Sequence, residues 1–348
     1  MAKTPLGLRH DVVHSRAFVA DGEHQGRLVD THSQGIHLGA HPLHYATGVI
    51  EGMQMVRAID GIWNVLFPNE HHNRLIRGGI TTGMLTEGTG PTNDLFRHGL
   101  RQVGRSNLAE LNPAHPMYLR PWLGEGSCEL GVGSSQGPLL IIISRDKTPY
   151  LGDTVKTGVT IWAPGPQVFC RADPRCGFPM VKSVMNYGLG YKWKKLAGKF
   201  GAVEVLQYGL DGLIKETTGS NIFVVVEDVV YAPPLDGCIL EGFTRRRNIE
   251  ILKSLGIEVR EAPVTRELLL QANEVFLTGT WSGVVPVRII LEGEHELTPM
   301  PGRFHDQPPG RITMLAQTAY NALLVRDLGK LPRELRIDTD WWMPVRQQ

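Results

Sequence analysis

A polar interruption near the middle of the chain, at residues 145–152, constrains the fold more than any other feature. It contains a proline and a glycine and directly follows an apolar strand pattern at 138–144. Short strand patterns and helical patterns alternate on both sides of it, and a chain of 348 residues is long enough for about two domains. Domain boundaries fall in exposed polar segments of this kind. We therefore predict two mixed α/β domains that join here.

The predicted boundaries follow from this interruption. Residues 1–25 show little periodicity, and we expect them to form an N-terminal extension. A small α/β domain then covers 26–145, and a linker covers 146–151. A larger domain covers 152–348 and carries most of the residues that suggest chemistry.

Hydrophobic periodicity places the secondary structure within each domain. In the first domain, strands are predicted at 26–30, 48–57, 62–67, 116–122 and 138–144, and helices at 69–84 and 93–107. In the second domain, strands are predicted at 158–163, 202–208, 222–226, 229–231 and 274–278, and helices at 186–200, 244–255, 265–272 and 311–325. Asn69 is placed to cap the first helix. The irregular stretch at 164–179 is long for a compact domain, and such loops are usually functional or mobile.

Charge and cysteine content narrow the class of protein. Lys and Arg total 36 and Asp and Glu total 35, so the chain lacks the basic field that attracts nucleic acid or an anionic membrane. The four cysteines are too scattered for a disulfide framework, and Cys170 and Cys176 are too far apart for a Cys-x-x-Cys motif.

Because the first residues lack the apolar core of a signal peptide, we expect a soluble, cytoplasmic protein with reduced thiols. The adjacent His71 and His72 point different ways on a helix, and we predict no metal site.

Four features of the second domain suggest chemistry when they are taken together. Lys182 lies between apolar segments, and burial of an amine lowers its pKa and makes it a usable nucleophile. Glu216 leads through a small-residue turn into an apolar strand. Thr244, behind a glycine, opens a helix, and the N-terminus of a helix binds anions. Gly279 and Thr280 end a strand and form a second possible anion cradle.

Each of these features has an ordinary explanation by itself. A lone lysine is usually solvated, and a Gly-Thr pair after a strand is usually a simple turn. In combination they suit pyridoxal 5′-phosphate (PLP). The lysine could react with its aldehyde, the carboxylate could bind its pyridine nitrogen, and the two turns could bind its phosphate.

The motifs and their order resemble those of the branched-chain amino acid aminotransferases, which are fold-type IV PLP enzymes. The segment 44–52, His-Tyr-Ala-Thr-Gly-Val-Ile-Glu-Gly, is similar to the family's His-Tyr-Gly-x-x-Val-Phe-Glu-Gly. Tyr118-Leu119-Arg120-Pro121 is similar to its substrate-side Tyr-x-Arg-Pro strand. The resemblance covers roughly residues 27–290. It implies an α/β (α+β) fold of two domains with PLP at their interface, in a homodimer or a higher homo-oligomer.

The resemblance also implies roles for individual residues. Lys182 would be the catalytic residue, because it would hold PLP as a Schiff base (an aldimine) and then move the proton of the amino acid. The cofactor-binding residues would be Lys182, Arg74, Tyr187, Glu216, Asn221, Leu240, Phe243, Thr244, Gly279 and Thr280. Among these, Glu216 would pair with the pyridine nitrogen and Tyr187 with the ring hydroxyl. Arg74 and the two turns would hold the phosphate.

On the substrate side, the resemblance implies an acidic amino donor. Arg120, Tyr45 and Tyr150 match the residues that meet the side-chain carboxylate of glutamate. Tyr118 would help to hold the α-carboxylate, and Tyr45 would reach the site of a partner subunit. Ile50 and Trp281 would also line the substrate pocket. The implied activity is PLP-dependent transamination between an L-amino acid, by default a branched-chain one, and 2-oxoglutarate or L-glutamate.

Departures from the family pattern keep other functions open. Ile50 replaces a phenylalanine, Gln54 replaces an arginine, and Trp281 stands where the family has a small alanine. A large indole in the pocket favours an alternative, a PLP enzyme of specialised metabolism that transaminates, eliminates or cyclises an unusual amino acid. A PLP-carrying protein without catalysis is a third reading, and the presence of Lys182 and Glu216 argues against it.

Overall fold

The structure is a computed structural model that describes residues 13–21, 25–33, 35–112, 114–148, 151–293, 298–301 and 309–346. It divides into two compact units of mixed α/β structure. Unit 1 comprises Met1–Thr148, Val181–Met185 and Asp338–Gln348, and unit 2 comprises Pro149–Met180 and Asn186–Ile337. No helix within the described ranges combines the length and the apolar character that crossing a membrane requires.

Unit 1 is built on one antiparallel sheet with helices against one of its faces. Its strands are β1 (Arg16–Asp21), β2 (Gln25–Asp30), β3 (Gly48–Ile50), β4 (Met53–Arg57), β5 (Trp63–Leu66), β6 (Met117–Glu125), β7 (Pro138–Asp146) and β17 (Trp342–Val345). Its helices are α1 (His41–Tyr45), α2 (Pro68–Thr81) and α3 (Asn93–Ser106). The strand order is β17-β5-β4-β6-β7-β1-β2, and β3 pairs separately with β6.

The two faces of this sheet carry different residues. Met53 and Met55 of β4 are fully buried, and a β-carbon added at Gly104 of α3 would lie 2.8 Å from the sulfur of Met55. Successive side chains of a strand point to opposite faces. Gln54 therefore lies on the other face, where it stands opposite Tyr118 of β6. This second face holds several residues of the candidate site.

Three sequence predictions about unit 1 are wrong. The expected extension at 1–25 contains β1, which pairs with β7 on one side and β2 on the other and buries Phe18. The C-terminal segment was placed in the second domain, but β17 pairs with β5 of unit 1. The helix predicted from Asn69 begins at Pro68 with Phe67 as its N-cap, and the Asn69 side chain instead accepts a hydrogen bond from Arg97 at 2.7 Å.

Unit 2 is built on a larger sheet that mixes parallel and antiparallel pairs. Its strands are β8 (Val159–Ala163), β9 (Glu204–Tyr208), β10 (Ile214–Thr217), β11 (Asn221–Val226), β12 (Val229–Ala232), β13 (Val259–Glu261), β14 (Glu274–Gly279), β15 (Gly283–Glu292) and β16 (Thr298–Pro299). Its helices are α4 (Thr154–Thr157), α5 (Val184–Lys199, whose first two residues belong to unit 1), α6 (Phe243–Ser254), α7 (Arg266–Leu270) and α8 (Arg311–Leu324). The order is β10-β9-β8-β15-β14-β11-β12-β13, with β16 beside β15.

The centre of unit 2 is apolar on both faces of the sheet. Five of the six residues of β11 are buried, and Phe223 stacks on Phe276 of β14 with ring centroids 4.7 Å apart. Such strands read as continuous apolar runs, which is why the sequence patterns of β11 and β14 identified them. The predicted helices 244–255 and 311–325 are confirmed as α6 and α8. Strand β15 was not predicted, since Pro286 interrupts its apolar run.

Candidate functional site

Arg74, the predicted phosphate-binding arginine, lies in a buried ion pair with Glu51. Its Nε and Nη2 donate to the two Glu51 oxygens at 2.7 and 2.6 Å, and His71 Nδ1 lies 2.6 Å from Glu51 Oε2. Burial alone would raise the pKa of Glu51, but the charges of Arg74 and His71 hold that pKa well below its usual range. Burial lowers the pKa of His71. This bidentate pair fixes the position of Arg74 on α2, a role for Glu51 that the sequence analysis did not assign.

Lys182 belongs to unit 1, on a short segment that pairs with β3. Its carbonyl oxygen accepts a hydrogen bond from the Ile50 N–H at 2.9 Å, and Ser183 forms a bridge with Val49. Ser183 is fully buried, whereas the Lys182 side chain is partly buried. The backbone of Lys182 is therefore anchored to the sheet beside Ile50. The sequence analysis had placed Lys182 in the second domain, and these contacts explain the difference.

Tyr118 and Arg120 contact each other on the face of β6 that Gln54 of β4 shares. Arg120 Nη2 donates to the Tyr118 hydroxyl at 2.8 Å, and its guanidinium lies 5.3 Å from the tyrosine ring centroid. A β-carbon at Gly52 would lie 2.2 Å from that hydroxyl oxygen, so a larger residue at position 52 would displace the Tyr118 side chain. Arg120 Nε is buried without a hydrogen-bond partner, and no carboxylate of the described residues lies within 4 Å of its guanidinium. An arginine in this state is suited to bind an anion.

Tyr45 and Ile50 are two further predicted substrate residues of unit 1. The Tyr45 hydroxyl donates to the Leu130 carbonyl at 2.9 Å, and the Tyr45 ring lies 4.6 Å from that of His41. Its expected role at a partner subunit stays a prediction. Ile50 is partly buried at the end of β3. Tyr150 lies outside the described residues.

In unit 2, four residues form what we call the Glu216 cluster: Glu216, Asn221, Leu240 and Arg171. Glu216 Oε2 accepts hydrogen bonds from Asn221 Nδ2 at 3.1 Å and from the Leu240 N–H at 3.3 Å. Glu216 Oε1 lies 2.8 Å from Arg171 Nη2. Asn221 also donates to the Leu240 carbonyl at 3.0 Å. The structure therefore brings the predicted Glu216, Asn221 and Leu240 together.

Arg171 is a functional candidate that the sequence analysis missed. Besides Glu216, its guanidinium donates to the Pro179 carbonyl at 2.5 Å, the Cys238 carbonyl at 3.2 Å and Gln207 Oε1 at 3.2 Å. It lies in the irregular stretch 164–179, whose length was the available signal. Since this guanidinium is directly bonded to the carboxylate, it favours the ionised form of Glu216.

The N-terminus of α6 is shaped to leave its backbone amides available. The N-cap residue is Gly242, and no side chain caps the helix. A β-carbon at Gly242 would lie 2.1 Å from Asn221 Oδ1, so a larger residue at the cap would displace the Asn221 side chain. Phe243 and Thr244 follow and are buried, and the Thr244 hydroxyl lies 3.1 Å from that of Tyr320. Uncapped N–H groups at a helix start form an anion site.

The turn between β14 and β15 lies at the same end of the sheet as the start of β11. Asn221 pairs in register with Thr278, next to Gly279. A β-carbon at Gly279 would lie 3.1 Å from Ser282 Oγ and 3.2 Å from Ser220 Oγ. Thr280 and Trp281 of this turn are partly buried, whereas Tyr187 on α5 is 36% exposed. The predicted turn residues therefore lie near the Glu216 cluster within unit 2.

Comparisons with known proteins identify the family to which the chain is similar. Residues 48–290 match the family model described as amino-transferase class IV. The branched-chain-amino-acid aminotransferase of Salmonella typhimurium is 30% identical over 268 residues, which are 76% of this chain and 83% of that protein. The crystal structure of the Escherichia coli branched-chain amino acid aminotransferase covers 96% of this chain and 100% of its own, with a TM-score of 0.79 and 26% identity. The branched-chain amino acid aminotransferase from Thermobaculum terrenum, solved in its PLP form, covers 96% of this chain and 99% of its own, with a TM-score of 0.78 at 22% identity.

Proposed function

This chain belongs to the class IV aminotransferase family and is similar to the fold-type IV branched-chain amino acid aminotransferases, and from this premise we propose which reaction it performs. The reaction is the exchange of an amino group between an L-amino acid, by default a branched-chain one, and the 2-oxoglutarate/L-glutamate pair. The observation that carries the glutamate part is Arg120, a cation held by Tyr118 with no carboxylate of the described residues within 4 Å.

We propose that the chain binds PLP, the cofactor that class IV aminotransferases use. The residues fit the group in chemistry. The Glu216 carboxylate suits a protonated pyridine nitrogen, the uncapped start of α6 suits a phosphate, and Gly242 and Gly279 occupy positions where a β-carbon would be obstructed. Bound PLP supplies an aromatic ring that accepts the electrons left on the amino acid when its Cα–H bond breaks.

The residues that would hold PLP are those that match the family. They are Lys182, Arg74, Tyr187, Glu216, Asn221, Leu240, Phe243, Thr244, Gly279 and Thr280. Glu216 would keep a proton on the pyridine nitrogen, and Arg171 would keep Glu216 ionised and in position. The Lys182 amine would take the proton from the α-carbon of the substrate and return it during the reaction.

Two side chains of β6 would orient the amino acid. Arg120 would bind the side-chain carboxylate of glutamate through charge-assisted hydrogen bonds, and the Tyr118 hydroxyl would contact the α-carboxylate. Tyr45 would serve the partner subunit's site in a homodimer. Tyr150 would join Arg120, as the family match suggests.

The half-reaction with L-glutamate tests this proposal. Holoenzyme is mixed with excess L-glutamate, L-leucine, L-valine or D-alanine, and the absorbance of the cofactor and the oxo acid released are followed. We expect conversion to the pyridoxamine form and release of 2-oxoglutarate with L-glutamate, and conversion with L-leucine if the second substrate is branched. A normal holoenzyme spectrum without any conversion by L-glutamate would contradict the glutamate site.

Trp281 supports a second candidate, a PLP enzyme of specialised metabolism. The indole is partly buried in the turn beside Gly279, where the resembling family has alanine. A bulky group there reduces the volume available to a branched side chain. Product analysis with L-leucine and with unusual amino acids decides between the two. Turnover of an unusual amino acid but not of L-leucine supports the second candidate, whether the products come from transamination, elimination or cyclisation.

A further inference from the structure

Lys147 is a charged residue next to the Arg120–Tyr118 pair that none of the roles above uses. Its backbone N–H donates to the Pro116 carbonyl at 2.8 Å, so it continues the pairing of β7 with β6 beyond Asp146. Its Nζ donates to Gln54 Oε1 at 2.9 Å. Gln54 is 2% exposed, and Lys147 is partly buried.

Lys147 lies on the same sheet face as the predicted substrate residues. Gln54 stands opposite Tyr118 in the β4–β6 register, and directly opposed residues of antiparallel strands share a face. Arg120 bonds to Tyr118, and Lys147 bonds to Gln54. Tyr118 therefore holds one cation and Gln54 holds another, and Arg145 of β7 stands directly opposite Tyr118 on the same face. We call Tyr118, Gln54, Arg120 and Lys147 the cationic sheet face.

The charge of this face is not balanced inside the described part of the chain. Among the described residues, the side-chain hydrogen bonds of Arg120 and Lys147 go to neutral groups, the Tyr118 hydroxyl and the Gln54 amide oxygen, and neither cation has a carboxylate partner. Burial lowers the pKa of Lys147 to about 8, as expected of an ammonium that lacks an anion. A partly buried cation of this kind is stabilised when a bound anion approaches it.

Gln54 leaves the charge of Lys147 in place, since it is neutral and accepts a hydrogen bond from the Lys147 ammonium. An amide oxygen can orient the ammonium without neutralising it. The Lys147 charge thus remains available to a ligand on this face.

We propose that Lys147 is a second anion-binding side chain on the substrate-binding face and that the preferred amino-acid substrate carries a carboxylate or a similar oxyanion on its side chain. This inference rests on the proposed transamination, and it replaces the branched-chain default by an acidic amino acid as the partner of glutamate. Lys147 would act as a specificity-determining residue and would take no part in the proton transfer.

Binding of unreactive analogues to the holoenzyme tests this inference without turnover. The dissociation constants of glutarate, adipate, 3-phosphonopropionate and 4-methylvalerate are measured by calorimetry for the natural chain and for Lys147→Met, Arg120→Met and Lys253→Met. We expect the dianions to bind the natural chain more tightly than 4-methylvalerate. Lys147→Met should weaken the dianions about 10- to 100-fold, the effect of a hydrogen bond to a charged group, and change 4-methylvalerate less than twofold. Lys253→Met is the control, since Lys253 is exposed in the last turn of α6.

Every outcome of these binding measurements either supports or overturns the role proposed for Lys147. Weakening of adipate alone identifies a carboxylate, and weakening of the phosphonate alone identifies a phosphate-like group; both support the inference. Equal affinities in the natural chain and Lys147→Met overturn it, and so does tighter binding of 4-methylvalerate than of all dianions in the natural chain. If only Arg120→Met weakens glutarate, the glutamate site stands and the Lys147 inference fails. Met is close to Lys in length, and a holoenzyme spectrum and circular dichroism verify that the variants fold.

Discussion

The charged side chains of the Glu216 cluster in unit 2 are ion-paired, whereas those of the cationic sheet face in unit 1 contact only neutral groups of the described residues. Glu216 has Arg171 at 2.8 Å and two further hydrogen-bond donors, and the nearby Lys215 lies 2.9 and 2.7 Å from Asp211 and Asp236. On the sheet face, Arg120 and Lys147 are bonded only to neutral groups in the described structure. Paired charges are positioned before any ligand arrives, whereas unpaired ones gain most from a ligand. The cluster is thus suited to hold a cofactor and the face to select a substrate.

Lys182→Ala should have the largest effect on activity. Because the Lys182 amine is proposed to move the substrate proton, we expect the half-reaction with L-glutamate to slow by about 10⁴-fold or more. The fold should persist, since the backbone of residue 182 still bonds to Ile50. Stopped-flow absorbance measures the rate, and Lys253→Ala serves as the control. A variant that keeps the natural rate would show that another residue moves the proton.

Glu216→Ala should have the largest effect on stability. The substitution leaves Arg171 buried without its carboxylate, which costs about 3–5 kcal/mol of unfolding free energy. The double variant Arg171→Met/Glu216→Ala should recover part of this loss, because an apolar pair needs no counter-charge. Urea denaturation of the protein without cofactor measures four chains: the natural one, the single variants Glu216→Ala and Arg171→Met, and the double variant. Additive losses in the double variant would mean that the two side chains are not coupled.

Arg120→Met should lower activity with little effect on stability, the reverse of the change at Glu216. We expect kcat/KM for L-glutamate to fall about 10- to 100-fold, as for a hydrogen-bonded charge that is lost. The unfolding free energy should change by less than about 1 kcal/mol, since Arg120 has no carboxylate partner in the described residues. A loss above about 3 kcal/mol, the size expected for a broken buried pair, would assign Arg120 a structural role. The affinity for 4-methylvalerate, which lacks a second carboxylate, is the internal control.

Lys147→Met should stabilise the protein while it removes a substrate contact. The folded pKa of Lys147 is about 8, below its value of about 10.4 in an unfolded chain. The protonated amine therefore favours the unfolded chain, and this penalty is complete below pH 8, decreases as the pH rises and vanishes near pH 10.4. We expect a gain of about 1–3 kcal/mol at pH 7 and almost none at pH 10, measured by urea denaturation. A loss of stability at pH 7 would indicate that Lys147 supports the fold, and Lys253→Met should be neutral at both values.

The features that could be predicted from sequence are those that depend on residues close to one another along the chain. The apolar run of β11, the helix start at Thr244 and the order of Lys182, Glu216 and Asn221 are visible within short windows. Arg171 was not, because its role depends on Glu216, which lies far along the chain in a different element. Lys147 was not, because it meets Gln54 only through strand pairing. The same holds for β17, whose partner β5 lies near the other end of the sequence.

The smallest expected effects concern one turn in each unit where a residue has a positive φ. The turn after β14 reaches a positive φ at Gly283 (73°), whereas the turn after α1 uses Ala46 at φ 53°, where the resembling family has glycine. A left-handed conformation costs a residue with a β-carbon about 1–2 kcal/mol, and glycine loses part of that advantage through its greater freedom in the unfolded chain. We therefore expect Ala46→Gly to raise the unfolding free energy by about 0.5–1 kcal/mol and Gly283→Ala to lower it by about 1 kcal/mol, both measured by urea denaturation. If Ala46→Gly is neutral or destabilising, the surroundings of Tyr45 and the 126–137 loop relieve the strain. The two turns would then be equally well suited to their residues.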